Sequence, residues 1–331
     1  MAYVYKHFIP QNTAPNGAKR IAVYDGNGKK ICTIPLGGLT PPMTEKRYSF
    51  GLLSDVHIQP WSVSNGTLLS QKFENALRWF NGQGANFVCI TGDFVHRGFV
   101  NSGGTFVTDE FGEYKRICDL FPDLPIYECC GNHESYYSDI TNNLTELETY
   151  TGNTLTYHVS YNNDLFVFIG QPSGSVVMRD SDFQWLAETL EANKDRRCFL
   201  FVHAYIEEDS GDPMDVRENS IFEDWGTSKK NAFMNLLRQY PNVVLFHGHS
   251  HTKFENQTLD VSANYTDKNG FKSVHVPSCA YPRDVVGSST VDDYNASQGY
   301  IVDVYADCIV LNGWDFVNSQ YVPLGVYKIA T

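Results

Sequence analysis

Carboxylates, carboxamides and imidazoles recur along this chain in five short blocks: Ser54-Asp55-Val56-His57, Gly92-Asp93, Gly131-Asn132-His133-Glu134, Phe201-Val202-His203 and Gly248-His249-Ser250-His251. Each block carries Gly or follows strand-like apolar sequence, so side chains far apart in the chain can converge on loops at one edge of a sheet. Metal clusters are assembled in that way. Half of the ten histidines fall inside these blocks, a concentration that surface composition does not produce. Hard carboxylate oxygens mixed with neutral imidazoles suit iron, manganese, zinc or magnesium-like ions better than copper, and the blocks contain no Cys, which argues against a structural zinc knot. The blocks differ in specificity. Asp55-Val56-His57 alone is a triplet that arises by chance on any loop, whereas His249 and His251 alternate in an extended segment and project to one side, where they can reach adjacent ions.

In this order the five blocks resemble the calcineurin-like metallophosphoesterase superfamily, which includes purple acid phosphatases, protein Ser/Thr phosphatases, cyclic-nucleotide phosphodiesterases, nucleotidases and some nucleases. The resemblance spans roughly residues 48 to 255. It implies two metal ions, one held by Asp55, His57, Asp93 and His251 and the other by Asp93, Asn132, His203 and His249, with Asp93 bridging them. Ions in such sites lie roughly 3.5–4 Å apart. The resemblance further implies a bridging hydroxide attacking phosphorus in line. His133 would then be no ligand but the acid that protonates the leaving alkoxide, a task suited to its near-neutral intrinsic pKa. Iron, manganese and zinc all remain open as the metals.

Several neighbours of the blocks read as supporting residues. Glu134 either orients His133 or is a solvated or helix-capping side chain. His247, alternating with His249 and His251, either supports the cluster from behind or is an ordinary strand histidine; His158 and His275 read as strand positions and His7 as surface. Gly92-Asp93-Phe94-Val95-His96-Arg97-Gly98 resembles the protein-phosphatase form Gly-Asp-x-x-Asp-Arg-Gly, with His96 in place of the second Asp. Purple acid phosphatases place a metal-binding Tyr there and have Asp-x-Gly where this chain has Asp55-x-His57. His96 therefore departs from both, reads as a supporting group, and neither subfamily's substrate transfers. Arg97 and Arg283 are candidates for contacting a substrate phosphate through the bidentate guanidinium, with a structural ion pair as the alternative for each.

The elements that must position these groups are legible as apolar runs. Tyr48 to Leu53 is a strand ending at Asp55, Leu68 to Phe80 has helical periodicity, and Phe87 to Thr91 is a strand ending at Asp93; together they form a βαβ unit with its ligand loops at the carboxyl ends of neighbouring strands. After a helix around Glu110 to Leu120, Pro125 to Cys130 delivers Asn132 and His133. Thr156 to Ser160 and Leu165 to Gly170 pair across an Asn162-Asn163-Asp164 turn and start a second sheet. Asp182 to Ala192 and Ser228 to Arg238 are helices, Cys198 to Val202 leads into His203, Val243 to Phe246 feeds the last block, and Gly299 to Tyr305 pairs with Cys308 to Leu311. The fold class is α/β (α+β): a two-sheet β-sandwich flanked by helices, the four-layer architecture that the resemblance also implies. Glu207 to Glu223, rich in Asp, Glu, Ser and Gly, reads as a long loop beside His203 and a candidate substrate-side lid.

Residues 1–45 carry none of the blocks and read as an N-terminal extension, a β-hairpin of Ile21–Tyr24 and Ile31–Ile34 followed by a Gly- and Pro-rich linker, with a role in packing or protein-partner contact. Residues 46–331 form the main domain. Eight cysteines are scattered without staple or zinc spacing, and the adjacent Cys129 and Cys130 read as small buried hydrophobes. With 331 residues, 42% hydrophobic, a sizeable core can form, while a formal net charge of −13 argues against a long duplex nucleic acid as partner and leaves small phosphorylated molecules open. The N-terminus lacks an apolar signal region and no run of eighteen apolar residues occurs, so the reading is a soluble, cytoplasmic protein without membrane association. The expected function is metal-dependent hydrolysis of phosphate esters. The alternatives are a nucleotide or cyclic-nucleotide phosphodiesterase and a catalytically weak metal-containing interaction module.

Overall fold

The chain's computed structural model describes residues 20–24, 30–35, 44–59, 66–96, 99–102, 105–135, 140–173, 176–206, 225–256, 264–267, 270–286 and 289–331. The N-terminal hairpin is present as β1 (Arg20–Tyr24) and β2 (Lys30–Pro35), antiparallel with Ile21 opposite Ile34. The linker after it, Arg97 and the acidic segment from Glu207 to Glu223 lie outside the described residues.

Two six-stranded sheets form the centre. The first takes β3 (Tyr48–Leu53), β4 (Val88–Ile90) and β7 (Ile126–Glu128) as parallel neighbours, the intervening β5 (Phe99–Ser102) and β6 (Thr105–Asp109) forming a separate hairpin. The second begins, as the sequence predicts, at the antiparallel pair β8 (Thr156–Tyr161) and β9 (Asp164–Ile169), and continues in parallel through β10 (Cys198–Val202), β11 (Val243–His247) and, past the short β12 (Tyr265–Thr266), β13 (Lys272–His275). A small hairpin of β14 (Arg283–Val286) and β15 (Ser289–Asp292) follows. The chain then returns to the first sheet, where β16 (Gln298–Val304) lies antiparallel to β3 and β17 (Cys308–Asp315) and β18 (Gln320–Ala330) extend the edge.

Alternation along the strands builds the core between the sheets. Tyr48, Phe50 and Leu52 of β3 face Phe166, Phe168, Phe199, Phe201 and Phe246 from the second sheet, all buried. Because β9, β10 and β11 run parallel and in register, Phe168, Phe201 and Phe246 lie side by side with ring centroids 4.6 and 5.3 Å apart. Each such ring removed from water contributes about 1.5–3 kcal/mol. The outer face of the first sheet is covered by α1 (Gly66–Gly82), whose Phe73, Ala76, Leu77 and Phe80 form one apolar stripe, by α2 (Glu110–Cys118) and by Leu147 of α4 (Ile140–Thr151); the short α3 (Asn132–Ser135) follows β7. On the outer face of the second sheet lie α5 (Asp180–Ala192) and α6 (Thr227–Arg238), through Leu186, Leu190, Phe233 and Leu237. The result is the helix–sheet–sheet–helix layering expected from the sequence.

Two elements escape the apolar pattern. β5 and β6 are short runs separated in sequence by Gly103-Gly104, and α4 is rich in Thr and Asn, residues of low helix propensity. Its Leu147 is nevertheless held in the core. Cys129 and Cys130 are buried, and burial pushes both thiols up, which keeps them protonated as packing groups. No helix among the described residues is long and apolar enough to cross a membrane.

Candidate metal centre

All five blocks sit at the carboxyl ends of parallel strands. Asp55 and His57 follow β3, Asp93 follows β4, Asn132 and His133 follow β7, His203 follows β10, and His249 and His251 follow β11. The loops are tied together by their backbones: the amide of Asp55 donates to Gly92 O at 3.0 Å, that of His57 to Asp93 O at 2.9 Å, and that of Gly248 to His203 O at 3.0 Å. Glycine is required in three blocks, and at Gly131 a Cβ would lie 2.6 Å from the Asp93 backbone nitrogen. At Gly248 a Cβ would lie 1.8 Å from Ser54 Oγ and 2.6 Å from Asp55 Oδ2, and at Gly92, where φ is +115°, it would lie 2.6 Å from His203 Nδ1. Each sits where two ligand-bearing loops touch.

Backbone strain is concentrated at the same place. Of the eight non-glycine residues with positive φ among those described, five are Asp55 (51°), His57 (49°), Asp93 (53°), His249 (74°) and His251 (61°). Left-handed backbone at Asp and His persists only where the surroundings over-determine it, and it clusters at functional sites.

The side chains fall into two neighbouring groups. Ligand atoms of Asp55, His57 and His251 lie within 4.8 Å of one another, and so do those of Asp93, His203 and His249. Asp55 Oδ1 is 3.0 Å from His251 Nε2 and 3.8 Å from His57 Nε2, while Asp93 Oδ2 is 3.0 Å from His203 Nε2 and 3.9 Å from His57 Nε2. The Asp93 carboxylate thus faces both groups. Asp55 Oδ1 and His203 Nε2 are buried, and neither has a hydrogen-bond partner of good geometry despite these short separations. Asn132, at the start of α3, is buried as well.

Hydrogen bonds behind the ligands fix their direction. His203 Nδ1 donates to Thr91 O at 3.0 Å, which aims Nε2 at Asp93. Asp55 Oδ2 accepts from the Ser54 hydroxyl and from the His249 amide. Burial alone would raise the Asp55 and Asp93 pKa values, but His251 and His203 respectively, with the other imidazoles, outweigh it and hold both carboxyls well below the usual range. Burial pushes His57 far down, and burial together with His203 brings His249 to about 3. For His203 burial is outweighed by Asp93 and Asp55, and its pKa rises to about 9. Ionised carboxylates and neutral imidazoles are the state that metal ligation requires, and a cation would displace the proton that His203 otherwise keeps.

Among the supporting residues, Glu134 departs from expectation, while His247 and Arg283 take the structural alternatives offered for them. Glu134 is buried and its carboxylate accepts from the backbone amides of Gly131 at 2.6 Å, Asp93 at 3.1 Å and Val95 at 2.9 Å, which is neither a solvated role nor one directed at the His133 ring. Burial and then the charge of Asp93 push it up to about 8. The His133 ring is oriented instead by His96, whose carbonyl accepts from Nδ1 at 2.7 Å. His247 is buried against His275, ring centroids 5.6 Å apart, on the adjacent strand, and does not join either ligand group. Arg283 pairs with Asp292 across the β14–β15 hairpin at 2.8 Å, the structural ion-pair alternative.

One residue beside the ligands carries no signal in the sequence. Tyr281 lays its ring against both His57 (5.2 Å, 21°) and His251 (4.7 Å), walling the first ligand group. It is carried by a turn that Lys72, buried on α1, holds by donating to Ala280 O and Ala296 O.

A family model described as calcineurin-like phosphoesterase matches residues 48–253. The chain belongs to that family. The fold of this calcineurin-like phosphoesterase aligns with the crystal structure of a dimetal phosphatase from Danio rerio over 86% of this chain and 99% of that chain, with TM-score 0.56 and 13% identity. A conserved predicted phosphoesterase from Streptococcus pneumoniae aligns at 8% identity and TM-score 0.39 over 86% and 98% of the two chains. Vacuolar protein sorting 29 from Cryptosporidium parvum aligns at 11% and 0.39 over 87% and 99%. At 13% identity the likeness to the Danio rerio structure establishes the fold alone. Among curated proteins, none matches the sequence.

Proposed function

We propose that this calcineurin-like phosphoesterase is a dinuclear metal-dependent hydrolase of small phosphate esters. The observation that carries the reading is the position of Asp93, whose Oδ2 faces His203 on one side and His57 on the other. Asp55, His57, His251 and Asp93 would hold one ion, and Asp93, His203, His249 and Asn132 the second. A bound ion pair supplies neutralisation of phosphoryl oxygens and a water acidic enough to act as nucleophile near neutral pH.

The chain's own residues provide the rest. His133 is 24% exposed, its Nδ1 is committed to His96 O, and its Nε2 lies 3.9 Å from Asp93 Oδ2 at the rim of the ligand groups. With Nδ1–H donated to a carbonyl, Nε2 is the atom that carries or releases the exchangeable proton. In the imidazolium form it can protonate a departing alkoxide. The binding-only alternative gives His133 no task, which favours hydrolysis.

Elemental analysis of manganese-reconstituted protein, combined with turnover of an aryl phosphate monoester and an aryl phosphodiester, tests this. Two ions per chain with metal-dependent hydrolysis of either ester supports the reading, and their ratio separates phosphatase from phosphodiesterase. Two ions without turnover of either would favour an interaction module, and no bound ion would overturn the dinuclear assignment.

A further inference from the structure

His96 stands where the resembled protein-phosphatase form carries Asp, and its surroundings differ on its two sides. Its ring Nδ1 lies 3.4 Å from His57 Nδ1. Its carbonyl accepts from His133 Nδ1 at 2.7 Å, and its amide donates to Glu110 Oε2, a buried carboxylate in the first turn of α2, at 2.7 Å. Ligand nitrogens of His57, His96 and His133 lie within 4.8 Å of one another, which raises the question of a third ion. The ring chemistry argues against one. His57 already directs Nε2 at the Asp55 and His251 ligand atoms, and a neutral imidazole has one lone pair to offer, so its Nδ1 carries a hydrogen.

We propose that His96 is a positioning residue that sets a ligand and the leaving-group acid together, accepting His57 Nδ1–H on its ring and His133 Nδ1–H on its carbonyl. The inference rests on the dinuclear reading above. An imidazole ligand needs an acceptor for its second nitrogen to fix its tautomer and ring orientation, and loss of that acceptor weakens metal binding roughly 10–100-fold. Here the acceptor is another imidazole, whose Nδ1 must then be unprotonated and its hydrogen on Nε2. Through Glu110 the arrangement is anchored to α2, well behind the ligand loops.

The test compares His96→Leu with His96→Asn. Both keep the backbone carbonyl and so the contact to His133. Only Asn restores an acceptor, its Oδ1, near the place of the imidazole Nδ1. Manganese affinity is measured by competition with a fluorescent chelator, with thermal melting as the check on folding. His96→Leu should bind manganese roughly 10–100-fold more weakly, and His96→Asn should recover most of the affinity. Unchanged affinity in His96→Leu, or equal weakening in both variants, would overturn the role. A large kcat loss at saturation with intact affinity would place His96 on the substrate instead, and three ions in the unaltered protein falling to two in both variants would make the cluster a metal site. An unaltered protein that binds no manganese would fail the dinuclear reading itself, a result separable from all of these.

Discussion

Glu134 accepts a hydrogen bond from the backbone amide of Asp93 at 3.1 Å, although the two residues lie on loops that follow different strands. With the amides of Gly131 and Val95 on the same carboxylate, this side chain clamps the second and third ligand loops at a fixed separation. Glu134→Ala would leave three buried donors without that acceptor, and each costs about 1–3 kcal/mol. Urea unfolding should show a loss of about 3 kcal/mol or more, accompanied by lower metal content. Glu134→Gln, which keeps one carbonyl oxygen, should lose less on both measures.

Asp93 itself gives a sharper stoichiometric outcome. If its carboxylate serves both ligand groups, Asp93→Ala should abolish activity and reduce bound metal to one ion or none by elemental analysis. Two full-occupancy ions in the variant would remove the bridging assignment.

His133→Ala should retain both ions while kcat falls roughly 10²–10⁴-fold on an alkyl ester, the usual worth of general acid catalysis. A nitrophenyl ester, whose leaving group needs no proton, should show a much smaller deficit. Equal losses on the two esters would mean that His133 positions substrate and donates no proton.

A pH effect on stability is expected away from the ligands. Glu128, at the end of β7, is buried and accepts from Tyr114 Oη at 2.6 Å and Asn153 Nδ2 at 2.7 Å; burial outweighs these bonds and raises its pKa to about 7. A carboxyl raised on folding binds its proton more tightly in the native state, so its contribution is complete below the unfolded value near 4.5 and is lost as pH rises through about 7. The shift corresponds to about 3 kcal/mol. Compared with Glu128→Gln, the unaltered protein should therefore lose about that much stability between pH 4.5 and pH 8 in parallel urea titrations, and a constant difference would contradict the burial argument.

The ligand blocks are legible in the sequence because each couples a ligating side chain to the end of an apolar run, and strand alternation does the rest. Asp55, Asp93, His203 and His249 all arrive where that logic puts them. What escapes is whatever depends on backbone acceptors or on elements that return from far along the chain. No residue type marks the His96 carbonyl as the partner of His133, and Glu134 looks like a partner for its neighbour until the folded loops bring the Asp93 and Val95 amides to it. Tyr281 reaches His57 only because the chain turns after β13 before rejoining the first sheet. The β5–β6 hairpin and α4 escape for the opposite reason, weak local patterning overridden by packing.

The left-handed backbone at Asp55, His57, Asp93, His249 and His251 sets stability and chemistry against each other. An L-residue in that region carries roughly 1–2 kcal/mol that glycine avoids. Selection for heat resistance alone would therefore be drawn to glycine wherever the relieved strain exceeds the hydrogen bonds lost with the side chain, and each such step would give a sturdier scaffold with fewer ligands. A thermostable descendant obtained without an activity screen should drift toward an inert shell of the same shape.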